Sequence, residues 1–175
     1  MSARRIDPVF RPEQIDSSAF IADNVTICGD VTIEESSSVW FGSVVRGDTE
    51  YVKIGKRTNI QDLSLLHTDQ GSPCVIGDDV TVGHSAVVHG AVVEDGALIG
   101  IRAVVLSRAK IGAGAIIGAG AVVTEGTVVP AGKLAVGVPA KVIADVSEEQ
   151  RKRLIETAKH YVHSASVYKA AEKSK

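Results

Sequence analysis

The 175-residue chain predicts an all-β fold, a parallel β-helix built from hexapeptides and followed by one α-helix. Three observations carry this. Aliphatic residues recur six apart at Ile15, Ile21, Ile27, Ile33, Val39 and Val45. They resume at Ile54, Ile60 and Leu66, again at Ile76, Val82 and Val88, and last from Val93 through Ile99, Val105, Ile111, Ile117 and Val123 to Val129. Glycine often follows the aliphatic residue, as at Ile54-Gly55, Ile76-Gly77, Val82-Gly83, Ile99-Gly100, Ile111-Gly112 and Ile117-Gly118. Beyond Val129 the beat stops and a stripe alternating by four and three takes over. A six-residue period is that of a chain laying three short faces to each coil and stacking the coils into a prism.

Positions one coil apart lie on the same face at the strand spacing of roughly 4.8 Å. Three hexapeptides make 18 residues per coil, and departures from that count locate insertions. Val45 to Leu66 is 21, which puts three extra residues in the stretch 47–53; Leu66 to Val88 is 22, which puts four in the stretch 68–75. If both insertions bulge out as loops, the residues after these aliphatics, Arg46, His67 and His89, form one column. His67 and His89 are then neighbours on adjacent coils, at a separation that suits a shared metal ion such as zinc. His84 follows Val82 by two and belongs to the preceding face, so it meets such a column most readily on a neighbouring prism of a threefold oligomer. A lone surface histidine is most often solvated; the stacking of two is what lifts this pair above that reading.

The prism is expected to span 1–146. Val129-Pro130-Ala131-Gly132 ends the repeat and Gly137-Val138-Pro139-Ala140-Lys141 closes the last coil. The segment 147–175 is expected to be a helix packed on the prism. Ser147 with Gln150 reads as a capping box, and Leu154, Ala158, Tyr161, Ala165 and Tyr168 form a stripe that packs on the prism's own wall or on a neighbouring subunit. On this reading Tyr161 is a packing residue, and His160 and His163 face solvent.

The composition agrees. A chain with 45% hydrophobic residues but only one Trp, three Tyr and three Phe suits a narrow interior of Val, Ile and Ala. A net charge of −2, with no basic stripe, argues against nucleic acid as a partner. Cys28 and Cys74 lack metal-knuckle or CxxC spacing and read as buried or idle thiols of a reducing compartment. The start, Met1-Ser2-Ala3-Arg4-Arg5-Ile6-Asp7-Pro8, has no apolar stretch after its arginines. Neither a secretion signal nor a membrane span is expected, and the expected location is the cytoplasm.

Val45-Arg46-Gly47-Asp48, Asn59-Ile60-Gln61-Asp62, Leu66-His67, Val82-Gly83-His84 and Val88-His89-Gly90 stand in an order and spacing that resemble the γ-class carbonic anhydrases. The resemblance runs from about Ile15 through the C-terminal helix. It implies a single-stranded left-handed β-helix, a homotrimer, and a metal held at each subunit boundary by His67 and His89 of one chain and His84 of the next. Zinc is the expected metal, with iron or cobalt as alternatives. The resemblance further implies that Gln61 orients the reacting hydroxide with Asp62 as its companion, that Arg46 steers bicarbonate, and that Asp48 pairs with an arginine at the boundary. Read without it, Arg46 and Asp48 are an interface ion pair and Gln61 and Asp62 are turn residues.

Two departures matter. Archaeal members carry an acidic loop whose glutamate shuttles protons, whereas here the loop is Thr68-Asp69-Gln70-Gly71-Ser72-Pro73-Cys74. Where those members have an acid directly after the aspartate, this chain has Thr49, with Glu50 one later. Proton export is therefore expected to be slow or to take another path. Bacterial members place a tyrosine of the C-terminal helix near the metal, and Tyr161 resembles it.

The activity so implied is reversible hydration of CO2 to bicarbonate. A three-histidine site leaves a position for water and brings its pKa to about 7, generating the attacking hydroxide. Other functions on the same repeat are acyl transfer from coenzyme A, which uses one histidine as general base and needs no stacked pair, metal-dependent thioester hydrolysis, and a non-catalytic scaffold whose metal only stabilises the trimer.

Overall fold

In the computed structural model, which describes residues 6–172, the chain winds as a left-handed parallel β-helix of three flat faces with a helix against one of them. Met1–Arg5, part of the start read as lacking a secretion signal, and the last three residues of the expected helical segment lie outside the described residues.

The first face stacks Phe20–Ile21, Ser38–Val39, Asn59–Ile60, Thr81–Val82, Leu98–Ile99, Ile116–Ile117 and Lys133–Val136. The second stacks the opening of Thr26–Ile33 and of Val44–Ile54 with Leu65–His67, Val87–His89, Val104–Val105 and Val122–Val123. The third takes the ends of those two long strands with Cys74–Ile76, Val92–Val93, Lys110–Ile111 and Val128–Val129.

The aliphatic beat sets this stacking. Val45 pairs with Leu66 and Leu66 with Val88 in register, and Ile60 pairs with Val82 in the same way on the first face. These side chains are 0% exposed and, with Val39, Ile54, Val105 and Ile117, form a continuous inner column. Alanines at the corners, among them Ala86, Ala103 and Ala121, complete it, because the narrow interior admits nothing larger there.

The two insertions behave differently. The stretch 47–53 does not leave the wall as a loop. Val44–Ile54 is one unbroken strand, and the extra residues are absorbed by a register shift opposite Gly29 and Val31. The physical reason is close backbone contact: a Cβ on Gly29 would lie 2.2 Å from the Gly47 carbonyl oxygen, so two glycines let the coils touch and keep the bulge in the sheet. The second insertion does project, as a tight turn in which Asp69 and Ser72 exchange both backbone hydrogen bonds.

The chain then turns back. Lys141–Asp145 pairs antiparallel with Lys133–Val136 and leads into helix α1, Glu148–Glu172. The capping box is present: the Ser147 amide donates to Gln150 Oε1 at 2.8 Å and the Gln150 amide to Ser147 Oγ at 3.2 Å. Helix α1 lies on the first face of its own prism, with Ala158 and Ala165 buried. Phe20 and Trp40 meet Tyr161 and Tyr168 there, at ring separations of 5.0 Å for Phe20–Trp40, 5.5 Å for Trp40–Tyr161 and 5.2 Å for Trp40–Tyr168. Lys169 ties the far end down by donating to the carbonyls of Ser17 and Ala19. His160 and His163 are exposed.

Candidate metal centre

At the edge between the second and third faces, Arg46, His67 and His89 are successive register partners. His67 and His89 each end their strand and Arg46 follows the inward Val45 by one, so the three side chains point out of the wall together. The two imidazole rings lie 5.0 Å apart and 63° from coplanar.

Asp48, turned to this edge by the bulged strand, accepts from Arg46 Nη1 at 2.8 Å and lies 3.3 Å from His67 Nε2. The second guanidinium nitrogen, Nη2, stands 3.4 Å from His67 Nδ1. Burial raises the Asp48 pKa, but hydrogen bonds from Arg46 and His67 outweigh it and hold the carboxyl below its ordinary value. For His67 burial comes first and the Arg46 charge second, and both push the imidazole pKa down. Both favour the neutral imidazole, the form that binds metal, against the opposing pull of Asp48.

His84 stands at the other edge of the second face. One coil below it is Asp62, whose Oδ2 lies 2.8 Å from His84 Nδ1. With Nδ1 engaged by the carboxylate, Nε2 is the nitrogen that a metal can take. Gln61 is buried and donates from Nε2 to Asn59 Oδ1 at 3.1 Å, while Asn59 donates to Thr81 Oγ1 at 2.9 Å. Tyr161 of α1 sits where burial, and then the Asp62 charge, raise its phenol pKa.

The residues singled out in the sequence therefore fall into two groups within one chain. Arg46, Asp48, His67 and His89 are together at one edge; Asp62 and His84, with Tyr161 close by, are at the other, on the side where Gln61 is buried. Among the described residues no three His, Cys, Asp or Glu side chains of one chain converge to hold a metal, so His84 does not join the pair within its own chain. The donor set fits a divalent ion of zinc type: imidazoles, two of them adjacent, and a third already oriented by a carboxylate.

The sequence reading missed one contact. Ser107 Oγ lies 2.9 Å from His89 Nδ1 and is almost wholly buried. Its signal was the beat itself, since Val88 to Val93 is five residues where the next coil, Val105 to Ile111, takes six. Glu50, in sequence an acid one place late, has a structural partner: its carboxylate accepts from the Gly71 amide at 2.9 Å and pins the projecting turn. Cys28, the register partner of Arg46, is half-buried, and Cys74 is buried; both are free thiols.

Residues 90–125 match a family model described as bacterial transferase hexapeptide (six repeats). A carbonic anhydrase of Geobacillus kaustophilus is 46% identical, the match covering 93% of this chain and 89% of that protein. The gamma carbonic anhydrase 2 of Arabidopsis thaliana mitochondria is 38% identical, covering 92% of this chain and 60% of that one. An uncharacterized transferase of Bacillus subtilis, YtoA, is 57% identical over 89% of this chain and 91% of its own length. Among solved structures, a hexapeptide transferase family protein from Anaplasma phagocytophilum superposes with a TM-score of 0.85 at 38% identity, covering 88% of this chain and 91% of that one.

Proposed function

Because the chain belongs to the γ-class carbonic anhydrase family of hexapeptide-repeat proteins, we propose that it is itself a metal-dependent carbonic anhydrase interconverting CO2 and bicarbonate. The observation that carries this reading is the pairing of His67 with His89 in register, rings 5.0 Å apart, on the edge opposite an oriented His84.

In a homotrimer, His67 and His89 of one subunit and His84 of the next would hold the metal, which we take to be zinc, with iron or cobalt as alternatives. The bound ion supplies Lewis acidity and makes its water acidic enough to react near neutral pH. The chain's own residues do the rest. Arg46 keeps one guanidinium nitrogen on Asp48 at 2.8 Å, and its side chain is 43% exposed, so its positive charge remains available to a bicarbonate anion. Asn59 and Thr81 fix the Gln61 amide, which suits it to orient the reacting water. Asp62 holds the His84 tautomer, and Tyr161 closes that edge from the helix side. The projecting turn carries no glutamate, and Glu50 is engaged at Gly71, so proton release to buffer is expected to limit turnover.

The transferase names of relatives favour a second reading, group transfer, for which the repeat itself suggests acyl transfer from coenzyme A. That chemistry needs one base and leaves the adjacent histidines unexplained. Stopped-flow CO2 hydration with metal content determined on the same sample separates the two. Hydration that scales with bound metal and vanishes in His89→Ala is expected. Metal-loaded trimer that hydrates no CO2 but consumes acetyl-coenzyme A would sink the proposal. The cross-subunit site is tested by His84→Ala, which should lose its metal although His67 and His89 are intact.

A further inference from the structure

We infer that Ser107 is a positioning residue of the metal centre, fixing His89 in the tautomer that presents Nε2 to the ion. The inference deepens the proposed metal reading and rests on it.

Three observations meet at this hydroxyl. Ser107 Oγ lies 2.9 Å from His89 Nδ1. Ser107 is only 3% exposed, so bulk water does not compete for that contact. The place of the contact is built by an irregularity in the coil. Val88, just before His89, pairs in register with Val105, 17 residues on, whereas Val93 pairs with Ile111, 18 residues on. The coil above His89 therefore carries one residue more at this corner, and Ser107 lies within that longer corner. Gly90 makes room for it. A Cβ there would lie 3.0 Å from Ser72 Cβ and 3.2 Å from Ser107 Oγ, and the backbone holds φ at +55°.

An imidazole has two nitrogens, and the partner of one decides what the other can do. On this assignment Nδ1–H donates to Ser107 Oγ, which places the lone pair on Nε2, available to a cation. Asp62 does the same for His84 at 2.8 Å. His67 differs, because Arg46 Nη2 approaches its Nδ1 at 3.4 Å and Asp48 its Nε2 at 3.3 Å. Of the two stacked histidines, His89 is thus the one whose outward nitrogen is free of any hydrogen bond given by the chain's side chains among the described residues. Ser107 would thus hold His89 ready as a ligand through Nε2.

The test uses the full-length protein as Ser107→Ala and Ser107→Thr. Zinc affinity is measured by chelator competition, and the His89 tautomer by nitrogen-15 chemical shifts on metal-free protein. Ser107→Ala is expected to bind zinc about 10- to 100-fold more weakly and to show a mixed His89 tautomer, with Ser107→Thr near wild type in both. An unchanged affinity together with an unchanged tautomer in Ser107→Ala overturns the role of Ser107 and leaves the metal site standing. Wild-type protein that takes up no zinc overturns the metal reading itself. The tautomer measurement needs no metal, so the two failures are distinct.

Discussion

At Gly90 the fold and the candidate site depend on the same missing atom. A methyl group there would press on Ser72 and Ser107 while the backbone stayed at φ +55°. Gly90→Ala should destabilise the protein by about 1–3 kcal/mol, read from denaturant midpoints at an unchanged slope. Zinc affinity should fall with it, since Ser107 is one of the atoms that must give way. The thiols make a second prediction. Burial pushes the Cys74 thiol up to about 12, so at pH 8 it is protonated as well as inaccessible. Ellman's reagent should leave Cys74 untouched in the native protein and modify it only on unfolding; rapid native labelling of Cys74 would contradict its burial. At this scale the sequence was legible only in part. Arg46, His67 and His89 could be aligned because each follows a counted aliphatic residue. Ser107 escaped because its reach back to His89 comes from a one-residue difference between corners, and a hydrophobic beat records faces more clearly than corners.

Among the elements, the helix was the most fully legible and its destination the least. Ser147 and Gln150 announced its start, and the Ala158, Tyr161, Ala165 and Tyr168 stripe its buried side. The stripe alone does not say which wall receives it. The answer lay in Phe20, Trp40 and Phe41, aromatic residues placed beside the first-face positions Ile21 and Val39. Trp40→Ala removes the ring between Phe20 and the two tyrosines and should cost about 3–5 kcal/mol. Hydrogen exchange should then quicken in Glu148–Glu172 while the amides of the stacked faces stay protected. Uniform loss of protection would mean that the helix and prism unfold as one. The strand Val44–Ile54 is the element that the period misjudged. Counting found the three extra residues but not that Gly29 and Gly47 let them remain in the sheet, and it is this bulge that turns Asp48 toward Arg46 and His67.

For the whole molecule, stability and assembly are coupled if the ion sits between subunits. Metal held by groups from two chains binds only the assembled form, and a hundredfold excess over its dissociation constant contributes about 2.7 kcal/mol. The melting temperature of the wild type should therefore fall on adding EDTA and depend on protein concentration, while His84→Ala should melt alike with and without the chelator. Equal EDTA sensitivity in both would place the ion elsewhere. The architecture itself was plain in the sequence, because a six-residue period admits few other solutions. The way it ends was not. A stack of parallel coils is an unfinished lattice: its last rung offers open hydrogen-bonding groups to any chain running the same way, the template on which fibres grow. On the first face this rung, Lys133–Val136, is taken by Lys141–Asp145 running in the opposite sense. A second molecule arriving tip first would bring a parallel rung to an antiparallel one, out of register with the two remaining faces. The reversed strand thus acts as a terminator on this face, closing it to the end-to-end addition of a parallel rung.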